Sequence, residues 1–147
     1  MALRERRVMA VATMRPTSPR ERGAATLPPM GAPVDSKQTD IDPEQLAEWM
    51  SADPDLQVVD VRESYEREVG YIEGSRHIPL VELSTRAAEI ERERPVVFYC
   101  RVGARSDMAA QAFRASGANA LSMRGGLMRW ASEDRPLSPE GGLVADH

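Results

Sequence analysis

The chain is 147 residues long, with 41% hydrophobic and 29% charged side chains, which is ordinary for a soluble globular protein. Its formal net charge of −4 is uneven, because residues 1–30 carry a net charge of +4 and residues 31–147 one of −8. An acidic folded part argues against nucleic acid as the main partner, since phosphate binding needs a basic face. No apolar run approaches the roughly 20 residues that cross a bilayer, so no membrane partner is expected either.

Cysteine and histidine are scarce in this sequence. Cys100 is the only cysteine, and His77 and His147 are the only histidines. A single cysteine cannot close an internal disulfide, and one cysteine with two histidines cannot complete the four-ligand sites typical of structural zinc. We therefore expect a cytoplasmic protein that needs neither a metal nor another cofactor.

The first 38 residues differ in composition from the rest of the chain. They are rich in Pro, Arg, Ser, Thr and Ala and show no sustained apolar period, which predicts a disordered N-terminal extension over residues 1–38. Arg-rich, acid-poor N-termini are also typical of organelle transit peptides. Met30 is a second candidate for the start of translation. A domain is predicted over residues 39–138, followed by a flexible C-terminal tail over residues 139–147.

From residue 41 onwards, short apolar runs alternate with amphipathic segments. Asp42 is a suitable N-cap and Pro43 suits the first helical position, which predicts that the first helix begins there. The apolar runs are too short for helices and are rich in β-branched residues, which is typical of buried strands. Helices are predicted over residues 42–53, 62–70, 80–93, 106–117 and 125–134, and strands over residues 56–61, 76–80, 95–100 and 119–123.

Two of these helices carry specific packing expectations. The segment over residues 80–93 places apolar side chains at spacings of four and three, which predicts an amphipathic helix. The segment over residues 106–117 has Ser106 as its expected N-cap. Its expected inward-facing side chains are Met108, Ala112 and Phe113.

Strands that alternate with helices form βα units, which indicates a parallel sheet with helices on both faces. In such sheets, ligands bind beyond the carboxyl ends of the strands. Cys100 is the last residue of the predicted strand over residues 95–100, the most strand-like segment of the chain. We therefore expect the cysteine at the edge of the sheet where functional sites form.

The segment CRVGARS, residues 100–106, contains several features that stabilise a thiolate. The thiolate is the reactive form of cysteine, and a free thiol with a pKa of about 8.5 is mostly protonated at neutral pH. Gly103 allows the positive φ values that let backbone N–H groups converge on an anion, and the next helix directs the positive end of its dipole at the loop. Arg101 and Arg105 add positive charge. A buried cysteine that acts only as a small hydrophobe is the alternative.

Three blocks of sequence resemble the rhodanese family of sulfurtransferases. The loop CRVGARS looks like the family's active-site loop, in which a glycine follows the cysteine by three residues and an Arg-Ser pair closes the loop. Upstream, VVDVRESYEREVGYIEGSRHIPL is similar to the family's Asp-Val-Arg motif and the turn after it; downstream, GGLMRWASEDRPL resembles its closing Gly-Gly…Trp…Pro segment. The resemblance covers roughly residues 38–138. It implies an α/β fold of three α/β/α layers, with a central, mostly parallel sheet of about five strands.

The length of the loop separates two chemistries. The loop also resembles that of phosphatases and arsenate reductases on this fold. In those enzymes the loop has one more residue between the cysteine and the arginine, which makes it wide enough for a tetrahedral oxyanion. Here four residues separate Cys100 from Arg105. The shorter loop favours a site for one terminal sulfur atom, a persulfide. A phosphatase or arsenate reductase, and a non-catalytic binding module on the same fold, stay open as alternatives.

The resemblance implies an enzyme of the thiosulfate sulfurtransferase type. By analogy, Cys100 attacks the sulfane sulfur of thiosulfate or of a persulfide donor and carries it as a persulfide to cyanide or to a thiol. With no second cysteine in the chain, the accepting thiol is expected from outside, for example from thioredoxin or glutathione. Asp60 and Arg62 are expected to brace the loop from the neighbouring strand as a partly buried pair. The residues expected to hold the donor and the persulfide are Arg101, Val102, Gly103, Ala104, Arg105 and Ser106.

Two further groups of residues are interpreted without a catalytic role. Glu63, Glu66 and Glu68 are expected on the solvated face of a short helix. The pair Gly125-Gly126 is expected to let the backbone pass close to the cysteine loop, because the segment lacks the Lys-Ser/Thr of a phosphate-binding loop.

Overall fold

The computed structural model describes residues 38–145, so the predicted N-terminal extension, apart from its last residue, lies outside the described residues. Within residues 38–145 no helix is long and apolar enough to cross a membrane, and no three His, Cys, Asp or Glu side chains are grouped to hold a metal ion. Five strands form one sheet in the order β1-β5-β4-β2-β3, with all neighbours parallel. The strands are β1 (Asp40–Ile41), β2 (Gln57–Asp60), β3 (Arg76–His77), β4 (Val96–Tyr99) and β5 (Ala120–Met123). The helices are α1 (Pro43–Ala52), α2 (Ser64–Val69), α3 (Ala104–Ala115) and α4 (Gly126–Ser132).

The three central strands are buried along their whole length, which is why their sequences are mainly apolar. Successive side chains of a strand point to opposite faces, so the sheet separates two cores. Val59 and Phe98 are neighbours in register and share a core with α3, whereas Val58 and Val97 share the other core with α1 and α4. The result is the three-layer α/β/α architecture expected from the sequence.

The edge strand β1 is absent from the sequence prediction. Its two residues pair with Ser122 and Met123 of β5. Ile41 is buried in the core that also holds residues of α1 and α4. A two-residue strand has no alternation of apolar and polar side chains, so the periodicity of the sequence could not reveal it.

The predicted helix over residues 80–93 is wrong. Two single turns of 3-10 helix, Leu80–Glu82 and Ala87–Glu89, occupy this segment instead. Leu83 and Ile90 are nevertheless buried in the core beneath the sheet. The spacing of the apolar side chains therefore identified the buried residues correctly but not the conformation of the backbone.

A long-range contact of Gln57 fixes the non-helical end of this segment. The buried side chain of Gln57 accepts a hydrogen bond from Glu91 N at 2.7 Å and donates to the carbonyl oxygens of Glu91 and Pro95 at 3.0 and 3.2 Å. These bonds satisfy backbone groups that a continuing helix would otherwise pair internally. The chain therefore leaves the segment toward β4 without completing a helix.

The helix α3 starts before the predicted position. Its N-cap is Gly103, not Ser106, which lies buried in the first turn. The buried face follows the helical spacing i, i+3, i+4 and i+7 from Ser106, and it differs from the predicted one because Met108 is 60% exposed and Ala112 is exposed as well. The buried residues of this face are Ser106, Ala109, Ala110 and Phe113.

Residues 138–145, which we call the C-terminal strap, lie against the domain. Ser138 and Tyr71 exchange two backbone hydrogen bonds, of 2.9 and 2.7 Å. Further along the strap, Leu143 N donates to Val69 O at 2.7 Å. The segment predicted as a flexible tail therefore has a described part that contacts α2 and the turn that follows it.

Candidate active site

Cys100 lies at the carboxyl end of β4, which has β2 and β5 as its neighbours in the centre of the sheet. The residue is 1% exposed. Two hydrogen bonds from the start of α4 hold the backbone at this point: Leu127 N donates to Cys100 O at 2.8 Å, and Met128 N donates to Arg101 O at 3.0 Å. The cysteine therefore lies at the edge of the sheet that the βα pattern predicted.

Glycine is required at two points of the turn around the cysteine. At Gly126, whose φ is +63°, a Cβ atom would lie only 2.4 Å from Arg101 O. At Gly103 φ is +117°, a value that L side chains rarely adopt, and this conformation leads the loop into α3. The predicted close approach between the Gly125-Gly126 turn and the cysteine loop is confirmed by the contact at Gly126.

Polar groups converge on the sulfur atom. Gly103 N donates to Cys100 Sγ at 3.1 Å, and the thiol itself donates to Ser106 Oγ at 3.6 Å. Ser106 Oγ also lies 2.7 Å from Ser122 Oγ on β5, and both serines are buried. Ser106 Oγ donates to Gly103 O at 3.1 Å, so its hydroxyl can donate to a Cys100 thiolate only when its proton turns from that carbonyl to the sulfur, with Ser122 donating to Ser106. Sequence reasoning missed Ser122, whose only signal is a hydroxyl within the otherwise apolar strand ALSM.

Arg105 extends from the cysteine loop to α2 and not into open solvent. Its Nη1 and Nη2 atoms donate to Oε1 and Oε2 of Glu66 at 2.8 and 3.0 Å. The side chain of Glu66 is fully buried and also accepts a hydrogen bond from Glu63 N at 2.9 Å. The expectation that Glu66 belongs to a solvated helix face is therefore wrong, because this carboxylate is the partner of a loop arginine.

The Arg105–Glu66 pair keeps both side chains charged. The hydrogen bonds to Glu66 raise the pKa of Arg105 above its ordinary value. Burial alone would raise the pKa of Glu66, but the hydrogen bonds from Arg105 and Glu63 N outweigh burial and lower it overall. The pair thus places a guanidinium beside the loop and compensates its charge at the same time.

The remaining predicted loop residues surround the turn. Arg101 Nε donates to Ala145 O of the C-terminal strap at 3.1 Å. Val102 and Ala104 are exposed, and Gly103 is buried beneath them. Of the six predicted loop residues, the structure therefore brings Gly103 and Ser106 to the sulfur atom, and it engages both arginines with acceptors from other parts of the chain.

Asp60 and Arg62 form a fully buried ion pair, and not the partly buried one expected from the sequence. Arg62 Nε and Nη2 donate to Asp60 Oδ1 and Oδ2 at 2.8 and 2.7 Å, and neither side chain is exposed. Tyr99 OH donates to Asp60 Oδ2 at 3.3 Å, and Arg62 Cζ lies 5.7 Å from the centroid of the Tyr99 ring. The pair therefore contacts Tyr99, the residue that precedes Cys100.

The site is thus a buried cysteine in a short loop between a central parallel strand and a helix. A family model described as a Rhodanese-like domain matches residues 42–133. The chain belongs to the rhodanese-like family. The matched residues include the whole cysteine loop, and they include most of the two flanking blocks that carried the resemblance in the sequence.

Two curated relatives and one solved structure show the extent of this rhodanese-like similarity. The chain is 36% identical over 104 residues to a sulfurtransferase of Allochromatium vinosum, and the match covers 69% of this chain and 97% of that protein. It is 41% identical over 78 residues to the uncharacterized protein YqhL of Bacillus subtilis (strain 168), with 52% of this chain covered. The chain spans only 62% of the length of YqhL. The crystal structure of a rhodanese-related protein from Thermoplasma volcanium matches with a TM-score of 0.64 and 30% identity, covering 69% of this chain and 99% of that one.

Glu66→Gln is expected to lower the free energy of unfolding by about 1–3 kcal/mol at neutral pH, because the charge-assisted hydrogen bonds from Arg105 are weakened. The folded-state pKa of Glu66 is lowered, so its contribution is present above the unfolded pKa of about 4.3 and is lost as the pH falls through the folded value. Urea unfolding of the wild type and of Glu66→Gln, at about pH 7 and at about pH 3, measures the contribution of the Glu66 carboxylate to the free energy of unfolding.

The difference in stability between wild type and Glu66→Gln should therefore be largest at neutral pH and shrink in acid. Glu68→Gln, on an exposed position of the same helix, is the matched control and should change stability by less than about 0.5 kcal/mol. A difference for Glu66→Gln that stays constant down to the acidic condition would contradict the assigned ionisation.

Proposed function

We propose that this chain is a sulfurtransferase that carries sulfur as a persulfide on Cys100. One observation carries the proposal: Gly103 N and Ser106 Oγ converge on Cys100 Sγ at 3.1 and 3.6 Å, at the carboxyl edge of a parallel sheet. Membership of the rhodanese-like family and the similarity to a sulfurtransferase support sulfur transfer in general. A site of this kind suits a sulfur anion bound to one cysteine.

In the first half-reaction, the Cys100 thiolate attacks the terminal sulfur of the donor. A new sulfur–sulfur bond forms to Cys100 while the sulfur–sulfur bond of the donor breaks. From thiosulfate, sulfite leaves and the protein retains a persulfide anion. The N–H of Gly103, 3.1 Å from Cys100 Sγ, stabilises the thiolate before it attacks the donor.

In the second half-reaction, an external nucleophile removes the outer sulfur. A thiolate of glutathione or of thioredoxin attacks the outer persulfide sulfur, and the Cys100 thiolate leaves; cyanide would leave as thiocyanate. Since Cys100 is the only cysteine, no internal thiol can take the sulfur from it. The acceptor is therefore a separate molecule.

The geometry of Arg105 favours sulfur transfer over phosphatase or arsenate reductase chemistry. Both Nη atoms of Arg105 are bonded to the buried carboxylate of Glu66. A loop arginine that binds a tetrahedral oxyanion would direct these bidentate donors at the substrate. The short spacing between Cys100 and Arg105 points the same way.

Intact-protein mass spectrometry after incubation with a sulfane donor tests the proposal. Thiosulfate and glutathione persulfide are the two donors to use. The expected result is a gain of one sulfur atom per chain, located on the peptide that contains Cys100 and lost again on addition of cyanide or a thiol. A non-catalytic binding module predicts no gain with either donor, and that result would overturn the proposal.

A further inference from the structure

We infer that the C-terminal strap gives the cysteine site a preference for persulfide donors over thiosulfate. The inference rests on the proposed function and names the class of donor for that same site. It is based on the hydrogen bonds of the two loop arginines: Arg101 is bonded to the strap, and Arg105 is bonded to Glu66.

Thiosulfate is a dianion, and its trioxide head must remain beside the loop while its terminal sulfur is attacked. Such a head is bound most strongly by guanidinium groups that offer bidentate donors. In this protein both terminal nitrogens of Arg105 are bonded to Glu66, and Arg101 Nε is bonded to the carbonyl oxygen of Ala145. A trioxide head would therefore compete with acceptors that the chain already supplies.

The charge around the loop points to the same donor class. The buried carboxylate of Glu66 compensates the positive charge of Arg105, so this arginine attracts a dianion less than an unpaired one would. A persulfide, R–S–SH, carries no trioxide head, and the atom behind its terminal sulfur is a two-coordinate sulfur. It therefore reaches a buried thiolate without a cationic pocket for oxygen atoms.

The chemistry with a persulfide donor is balanced without an oxidant or a reductant. The Cys100 thiolate forms a bond to the outer sulfur of R–S–SH, and the sulfur–sulfur bond of the donor breaks. The outer sulfur keeps its proton, and R–S⁻ leaves with the electron pair. The protein retains a Cys100 persulfide, as it does with thiosulfate.

The strap is held so closely that one methyl group would displace it. At Gly70 φ is 171°, an extended value that any residue adopts, yet a Cβ atom there would lie 2.2 Å from Leu143 O. At Gly142, on the opposite side of the contact, a Cβ atom would lie 2.9 Å from Pro139 O and 3.1 Å from Gly70 Cα. Alanine at Gly70 therefore pushes the strap away from the domain. Alanine at Gly142 clashes within the strap and shifts its contact with Gly70, so both substitutions displace the strap without altering a residue of the cysteine loop.

The test compares kcat/KM for glutathione persulfide and for thiosulfate in the wild type, in Gly70→Ala and in Gly142→Ala. The wild type is expected to favour glutathione persulfide by at least about tenfold. In both variants Arg101 loses its contact with Ala145. The ratio of kcat/KM for glutathione persulfide to kcat/KM for thiosulfate is then expected to fall by about tenfold, because one charge-assisted hydrogen bond has an effect of that size. Their thiosulfate activity should also fall more steeply with added salt than that of the wild type.

Gly117→Ala is the matched control, because its φ of +99° makes alanine unfavourable while no atom lies within 4 Å of the added Cβ. It reports loss of stability alone and should keep the wild-type ratio. A wild type that uses thiosulfate as well as glutathione persulfide overturns the inference, and so does an unchanged ratio in both strap variants. If neither donor adds sulfur to the wild type, the proposed function itself fails; equal use of both donors leaves the function standing and removes only the donor preference.

Discussion

Cys100→Ser is expected to lose sulfur uptake from both donors while it folds like the wild type. A serine hydroxyl is close in size to the thiol and can accept the same hydrogen bond from Gly103 N, so the turn has no reason to change. The hydroxyl is far less acidic than a thiol and does not form the anion that attacks the donor. We expect the rate of sulfur transfer to fall by at least about a thousandfold, as for other enzymes that lose their nucleophile.

The measurement is the rate at which an acceptor thiol becomes a persulfide, followed together with the mass of the intact protein. Ser116→Ala is a suitable control, because it removes a hydroxyl at the exposed end of α3 and leaves the cysteine loop unchanged. The control should retain both the mass gain and the rate. Sulfur uptake by Cys100→Ser at a rate comparable with the wild type would rule out Cys100 as the carrier.

Asp60→Ala is expected to lower the free energy of unfolding by about 3–5 kcal/mol, because it leaves the guanidinium of Arg62 buried without a counter-charge. Three further hydrogen bonds are lost with the carboxylate, from Arg62 N at 3.0 Å and from Tyr99 OH and Arg67 Nη1 at 3.3 Å each. Urea unfolding at neutral pH gives this free energy directly. Sulfur transfer should slow as well, since Tyr99 immediately precedes Cys100.

A double variant separates an uncompensated charge from a loss of packing. Asp60→Leu combined with Arg62→Met replaces the whole pair by apolar side chains, and such replacements are often neutral or stabilising. The double variant should therefore be closer in stability to the wild type than Asp60→Ala is. The opposite order would show that the pair supports this part of the fold by its hydrogen bonds and not by mutual neutralisation.

The position of Cys100 in the fold could be predicted from the sequence because the signals that fix it are local. The apolar run before Cys100 predicts a buried strand, and Gly103 and the helix after it predict the turn. The alternation of strands and helices places that turn at the carboxyl edge of a parallel sheet. Each of these inferences depends on residues within a few positions of one another.

The predictions that the structure contradicts involve residues whose partners are distant in the sequence. Glu66 was placed in solvent because its partner, Arg105, lies 39 positions away. The prediction of a helix over residues 80–93 depends on spacing alone, whereas Gln57, 34 positions before Glu91, bonds the backbone where this segment ends. A charge pattern or a periodicity contains no information on such pairs, so only the folded structure reveals them.

The tight packing of Gly126 on the cysteine loop limits how this site can change its chemistry in evolution or in design. A switch to oxyanion chemistry calls for one more residue between Cys100 and Arg105. The start of α4 blocks that insertion on one side, because even a methyl group at Gly126 would lie 2.4 Å from Arg101 O. An added residue must therefore bulge toward solvent beside the exposed Val102, or α4 must move with it. Unless the added residue bulges outward, a switch of reaction class therefore requires coordinated changes in two separate segments, the cysteine loop and the start of α4.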